Sequence, residues 1–153
     1  MKEGIAEYAK RIRPYEKLVL IEVEDEAASA FNSPAENEQV KQREGARMLK
    51  RIDEKEFVIL LDLAGEEMDS VQLSQRMDQC MTQGKNKITF VIGGSLGVSK
   101  ELVQRSDVRW KLSANTFPHQ LCRLLVLTQK TMQQAAEMIM HCRCLTFFGA
   151  GGS

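Results

Sequence analysis

The stretch Leu112 to Leu125, LSANTFPHQLCRLL, concentrates side chains that can do chemistry. Thr116 can cap a helix whose first turn carries Pro118, where a missing N–H costs nothing. His119 then sits in that first turn, where the helix dipole opposes protonation and favours neutral imidazole. A neutral imidazole suits an acceptor or a general base; the same residue can equally be a partly buried histidine satisfied by a backbone group. Arg123 lies four residues on, on the same helical face, and can pair with a phosphate or with a neighbouring carboxylate. A second candidate is VIGGSLGVSK, Val91 to Lys100. Its Gly93, Gly94 and Gly97 give GGxxG, not GxGxxG, and no GK[ST] follows as a P-loop would require. Such glycines serve a tight strand-to-helix connection or a backbone wall against a nucleoside, where a side chain would collide. Asp62, with Gly65 three residues on, can accept a ribose hydroxyl or cap its own turn. His141 to Cys144, HCRC, offers three soft ligands, but zinc takes four and nothing else supplies a second CxxC or HxxxH, so no metal is expected.

These residues need elements to place them. Residues 2 to 13 are helical by spacing, with Ile5, Tyr8, Ala9 and Ile12 on one face, ending at Pro14. Lys17 to Val23 (KLVLIEV) reads as a strand and Glu24 to Glu38 as an acidic surface loop. A helix resumes near Glu36 and runs to about Arg51, with Val40, Met48 and Leu49 towards a core. Phe57 to Leu61 (FVILL) is a short, continuously apolar strand of the kind covered on both faces; LDLAG then turns the chain. Ser70 caps a helix to Thr82, closed by Gly84. Ile88 to Ile92 (ITFVI) is a third strand, Ser99 caps a short helix to about Arg105, and Trp110 to Leu112 is a short fourth strand. Alternating strands and helices are the grammar of an α/β fold with a mostly parallel sheet and helices on both faces. Ligands of such sheets bind beyond the carboxyl ends of the strands, so the loops after Leu61, Ile92 and Leu112 are the informative ones.

The bulk numbers bound the classes. The 153 residues suffice for one domain with a sizeable core. Lys plus Arg equals Asp plus Glu, 21 each, so net charge gives a nucleic-acid partner no support. Basic residues gather locally at Lys10, Arg11 and Arg13 and again at Lys41, Arg43, Arg47, Lys50 and Arg51, interleaved with glutamates. That pattern is a solvated helix face or an RNA-facing patch. No apolar run is long enough to span a bilayer, and the charged N-terminus is not a secretion signal. Cys80, Cys122, Cys142 and Cys144 have no disulfide-framework spacing and read as reduced thiols of a cytoplasmic protein.

In order along the chain, KEGIAEYAKRI, LIEVEDE, EQVKQREGARML, VILLDLAG, MTQGKNKITFVIGGSLGVSKELVQRSD and LSANTFPHQLCRLL together resemble one family, the large-subunit ribosomal RNA methyltransferases of the YbeA type, within the SPOUT class. The match covers about Lys2 to Val126, and IGGxxG combined with LSxxTFPHQLxR is its specific signature. The resemblance implies an α/β fold with a C-terminal trefoil knot, a rare exception to unknotted chains. It implies methyl transfer from S-adenosylmethionine to N3 of a pseudouridine in large-subunit ribosomal RNA, by a homodimer with the final helix at the interface. It places Leu61, Gly93 and the connector Leu112, Ser113, Ala114, Asn115, Thr116 and Phe117 against S-adenosylmethionine. It leaves His119 to orient substrate or cofactor and Arg123 to contact RNA phosphate or pack the helix. The partners it implies are the ribosome's RNA and a second copy of the chain, without membrane or metal.

Two departures set further expectations. Family members open with a strand of the MKIKIIAVGK type, whereas this chain opens at the helix after it, so the sheet is expected to expose an edge or gap where that strand sat. The family's last helix continues as EQxYRAxxIxxGxPYHK; here TQKTMQQAAEMIMHCRCLTFFGAGGS follows, and similarity stops near Thr128. The chain is therefore one domain over 1–153, family-like over 2–126 with a divergent tail over 129–153. The break reads as a shifted reading frame, the tail as unhelical at FFGAGGS, and Met132, Ala135, Met138 and Ile139 as a prolonged amphipathic helix. The leading function is the methyltransferase; the competing ones are a non-catalytic relative that binds cofactor or RNA without turnover, and a general nucleotide-binding α/β module.

Overall fold

A computed structural model describes residues 2–12, 17–23, 33–85, 87–93, 96–115, 121–122, 124–125 and 144–150. The elements are α1 (Lys2–Ile12), β1 (Lys17–Val23), α2 (Pro34–Leu49), β2 (Phe57–Glu67), α3 (Ser70–Thr82), β3 (Lys87–Ile92), α4 (Lys100–Arg105), β4 (Val108–Lys111) and β5 (Cys144–Ala150). The strands form one five-stranded sheet in the order β1-β5-β3-β2-β4, with every pairing parallel.

Period-2 alternation in β2 divides the core between the two faces. Phe57 and Ile59 join Ile88, Phe90, Val108 and Trp110 on one face, covered by Ile5 of α1 and by Leu73, Met77 and Cys80 of α3. Val58 and Leu60 join Val91 on the other, covered by Met48 of α2 and Leu102 of α4. Helices on both faces explain why β2 and β3 read as unbroken apolar runs.

The helix ends follow local capping chemistry. Ser33 and Glu36 form a capping box: the Ser33 amide donates to the Glu36 carboxylate at 2.6 Å and the Glu36 amide to the Ser33 hydroxyl at 3.3 Å. With Pro34 as first helical residue, α2 starts two residues before the expected Glu36 and ends at Leu49. Asp69, not Ser70, caps α3. Its carboxylate accepts from the Gln72 amide at 2.8 Å, and its own amide donates to the Gln72 side chain at 2.9 Å. Gly84, at φ +82, closes α3 as expected, with the Lys85 amide donating to the Cys80 carbonyl at 3.2 Å. Ser99 caps α4, its hydroxyl accepting from the Leu102 amide.

Three expectations are corrected. LDLAG does not end the second strand. β2 resumes its pairing, and the register with β4 shifts between Leu61 and Glu66, which both lie opposite Trp110, so Asp62 to Gly65 are looped out within the strand. The fourth strand begins two residues early, at Val108, because Asp107 and Val58 pin it: the Val58 amide donates to the Asp107 carboxylate at 2.8 Å and the Asp107 amide to the Val58 carbonyl at 2.9 Å. Most consequentially, the divergent tail supplies β5, which lies between β1 and β3 and leaves no gap there. Leu145 to Phe148 (LTFF) are good strand formers in a stretch that the sequence marked only as unhelical. The helix expected over Met132 to Ile139 lies outside the described residues.

Candidate functional site

β2 lies between β3 and β4, and its register gathers the three loops singled out in the sequence. Leu61 pairs with Ile92 on one side and with Trp110 on the other. Gly93 is therefore one residue beyond Leu61's partner in β3, and Leu112 two beyond its partner in β4. Neighbouring strands are about 4.8 Å apart, so Leu61, Gly93 and Leu112 to Asn115 share the carboxyl rim of the sheet. Leu61 and Leu112 are half-buried and pack against the core on the α1–α3 face. Ser113 folds its connector back on itself, the hydroxyl accepting from the Asn115 amide at 3.1 Å, while Ala114 and Asn115 are exposed. Thr116, Phe117, His119, Arg123 and Gly94 lie outside the described residues. Leu121, Cys122, Leu124 and Leu125 are helical as expected, and Leu124 reaches the α1–α3 core cluster.

The glycine loop is a close approach of the chain to itself. A Cβ on Gly93 would strike Val98 Cγ1 and come within 3.2 Å of the Gly97 carbonyl oxygen. Gly97 has φ +96, a conformation side chains resist. The loop leaves Gly93 turned tightly against Gly97 and Val98, and Ser99, 1% exposed, fixes its far end.

Asp62 serves the second of the uses its position allows. Its Oδ1 accepts from the Ala64 amide at 3.0 Å and its Oδ2 from Arg109 Nε and a terminal guanidinium nitrogen at 2.9 and 2.6 Å. A Cβ on Gly65 would lie 2.5 Å from the Arg109 carbonyl oxygen, so the looped-out segment rests directly on β4. Arg109 carried no sequence signal, because what selects it is a carboxylate 47 positions away. Beyond the loop, Glu66 pairs with Arg76 at 3.2 Å and Glu67 with Lys111 at 3.0 Å. One side chain here is left unsatisfied: the Trp110 indole N–H is buried without a hydrogen-bond partner among the described residues. Burial pushes the Cys122 thiol above its ordinary value of 9.0, so it stays protonated at neutral pH and is no thiolate nucleophile. Among the described residues no group of three or more His, Cys, Asp or Glu could hold a metal ion.

Known proteins match this sequence over most of its length. A sequence model described as "Predicted SPOUT methyltransferase" covers residues 1–130. Three curated relatives carry the name Ribosomal RNA large subunit methyltransferase H. That of Desulfitobacterium hafniense is 50% identical over 129 residues, 84% of this chain and 81% of that protein. Those of Acetivibrio thermocellus and Carboxydothermus hydrogenoformans are 48% and 46% identical over the same shares. The chain belongs to the SPOUT methyltransferase family.

For a SPOUT methyltransferase the rim has fitting chemistry. A SPOUT methyltransferase needs a methyl donor, and the rim offers two half-buried leucines, a glycine loop and the exposed connector at Ala114 and Asn115. That set suits a flat nucleoside held by apolar contact and main chain better than a polyphosphate: the rim cations Arg109 and Lys111 are already paired. The family match stops at residue 130, so β5 lies outside it. Residues that reasoning from sequence passed over are Arg109 and Gly45. For Gly45 a signal existed, since a glycine inside a helix costs about 1 kcal/mol against alanine and needs a reason to be there.

Proposed function

We propose that this chain transfers the methyl group of S-adenosylmethionine to N3 of a pseudouridine in large-subunit ribosomal RNA, acting in the cytoplasm as a homodimer. The observation that carries this reading is the pairing of Leu61 with both Ile92 and Trp110, which brings three loops to one rim in a chain matched over 84% of its length by ribosomal RNA methyltransferases.

Leu61, Gly93 and the connector Leu112 to Phe117 would hold the cofactor's nucleoside. The leucines give apolar contact, Gly93 a wall without a side chain, and the connector backbone the hydrogen bonds that read adenine. Bound there, S-adenosylmethionine supplies an electrophilic methyl on a sulfonium. The chain's share is chiefly positioning, with removal of the N3 proton as the acid–base component. His119, which the sequence places in the first turn of its helix where the dipole favours neutral imidazole, would accept a hydrogen bond that orients substrate or cofactor. Arg123, one turn on, contacts RNA phosphate or packs the helix. The helix through Leu121, Leu124 and Leu125 is the proposed dimer interface, and the trefoil knot the means by which the connector closes over the rim.

The test is methyl transfer from labelled S-adenosylmethionine to ribosomes of a strain lacking the native enzyme, with digestion to nucleosides. Label is expected in N3-methylpseudouridine from large-subunit RNA. Cofactor binding by calorimetry without labelled product would instead leave a non-catalytic binder, and preference for NAD a general nucleotide-binding module.

A further inference from the structure

Gly45 lies in the middle of α2, buried, where alanine would be the better helix former. A Cβ built there would collide with the Ser99 hydroxyl, lie 2.9 Å from Ser99 Cβ and 3.5 Å from a Leu102 methyl. Ser99 has little freedom to retreat. It is 1% exposed, its hydroxyl caps α4 through the Leu102 amide at 3.3 Å, and its carbonyl accepts from the Val103 amide at 3.2 Å. The obstacle is thus a short side chain built into a helix cap, not the free end of a long one. Displacing it displaces the start of α4 and with it the end of the glycine loop. One residue before Ser99 is Val98, whose methyl occupies the space a Cβ on Gly93 would take. The contacts therefore run Gly45 to Ser99, Ser99 to Val98 by the chain, and Val98 to Gly93.

We infer that Gly45 is a positioning residue for the cofactor loop: its missing side chain lets α2 seat Ser99, and the seated Ser99 holds Val98 and Gly97 against Gly93. This rests on the proposal that Gly93 lines the S-adenosylmethionine site. Gly45 itself touches no ligand.

The test compares the parent, Gly45→Ala, Ser99→Gly and the double variant. Each is measured for S-adenosylmethionine affinity by calorimetry, for thermal stability, and for amide hydrogen exchange over Gly97 to Val103. Ser99→Gly is the reference for the double variant: glycine at a helix N-cap costs only a few tenths of a kcal/mol, so α4 keeps its start while the atoms a Gly45 Cβ would strike are removed. Gly45→Ala should bind at least about tenfold more weakly at a temperature where it is fully folded, and exchange faster over Gly97 to Val103. In the double variant the struck atoms are gone, so it should match Ser99→Gly in both to within about threefold. A purely structural role for Gly45 would lower the melting temperature while leaving affinity of the folded protein and exchange in the loop unchanged; that result overturns the inference, as does a double variant that recovers neither. If Gly45→Ala does not fold, recovery of folding and affinity in the double variant supports the inference and continued failure overturns it. A parent that binds no S-adenosylmethionine refutes the proposed function, and the exchange rates then decide the Gly45–Ser99 coupling alone.

Discussion

Thr146→Pro tests the least expected feature of the fold, the seating of the tail strand inside the sheet. Thr146 pairs with Val19 of β1 and with Thr89 of β3, so β5 has a neighbour on each side and no free edge. In a parallel strand with two neighbours every amide is committed to one of them. Proline removes one donor, worth about 1 kcal/mol net, and strands a carbonyl on a neighbouring strand at a further cost of about 1–3 kcal/mol. The sum, about 2–4 kcal/mol, is a substantial part of the 5–15 kcal/mol typical of a domain. At roughly 2–4 °C per kcal/mol for a chain of this size, the melting temperature should fall by about 4–16 °C. Lys100→Pro is the matched control. Lys100 is the first residue of α4, and Ser99 before it already has φ −71 and ψ 157, the region a following proline requires. The control should melt at or slightly above the parent. Calorimetric melts of the three proteins decide the point, with hydrogen exchange of the β1 and β3 amides as a local readout. A Thr146→Pro variant that melts with the parent and keeps its β1 amides protected would refute the placement of β5 between β1 and β3.

Gly93→Val should leave the chain folded but weaken S-adenosylmethionine binding at least about tenfold, because the added atoms meet Val98 and the Gly97 carbonyl; unchanged affinity by calorimetry removes Gly93 from the site. A double-mutant cycle with Asp62→Asn and Arg109→Met should give a coupling of about 1 kcal/mol in chemical denaturation, since two guanidinium nitrogens donate to the one oxygen, Oδ2, of a partly buried pair; a coupling near zero would show that Arg109 does not fasten the looped-out segment. The Ser33 amide, and secondly its hydroxyl, hold Glu36 below its ordinary carboxyl value of 4.5. Because the folded value is the lower one, the stabilisation is fully present above 4.5 and is lost as pH falls through the folded value. The melting-temperature gap between the parent and Glu36→Gln should therefore be constant from neutral pH down to about 5 and move in the parent's disfavour below 4.5; a gap that moves the other way on acidification contradicts the capping role.

What was legible in the sequence was whatever local chemistry determines. The apolar runs at Phe57 to Leu61 and Ile88 to Ile92 are both within parallel strands, because burial on two faces selects for them directly. Gly84 and Ser99 end and start helices as their types require. The errors fall where a distant partner decides. Asp62 to Gly65 looked like a simple turn, yet Arg109 holds them as an interruption within one strand. Asp69 won the α3 cap over Ser70 through its reciprocal bonds with Gln72, an offset that composition leaves open. LTFF was passed over because a strand's place in a sheet depends on two other strands, β1 and β3, far away in the chain. At the site, the resemblance named the loops, Arg109 became visible only through its contact with Asp62, and Gly45, inferred to hold the glycine loop, was marked only by being a glycine inside a helix.

The two ends of the sheet are built for different purposes. At the amino rim Glu56, 2% exposed, accepts from Lys87 at 2.7 Å, from the Thr89 hydroxyl at 2.5 Å and from the Asp53 amide at 3.1 Å. Arg105 binds the carbonyls of Asp53 and Glu56 at 2.8 and 3.0 Å, and Asp107 ties β4 to Val58 while drawing in Lys85 at 3.6 Å. Side chains there cross between the starts of β2, β3 and β4, and a buried charge with three donors is costly to disturb. At the carboxyl rim the charged groups fasten a loop to its own strand pair, Asp62 to Arg109, and the other turns rest on glycine. Rigidity at one end fixes the strand ends to which the loops attach, so those loops can forgo a network of their own and present main chain to a ligand. The cations of that rim, Arg109 and Lys111, are engaged with Asp62 and Glu67, so recognition of the proposed cofactor there falls to shape and backbone.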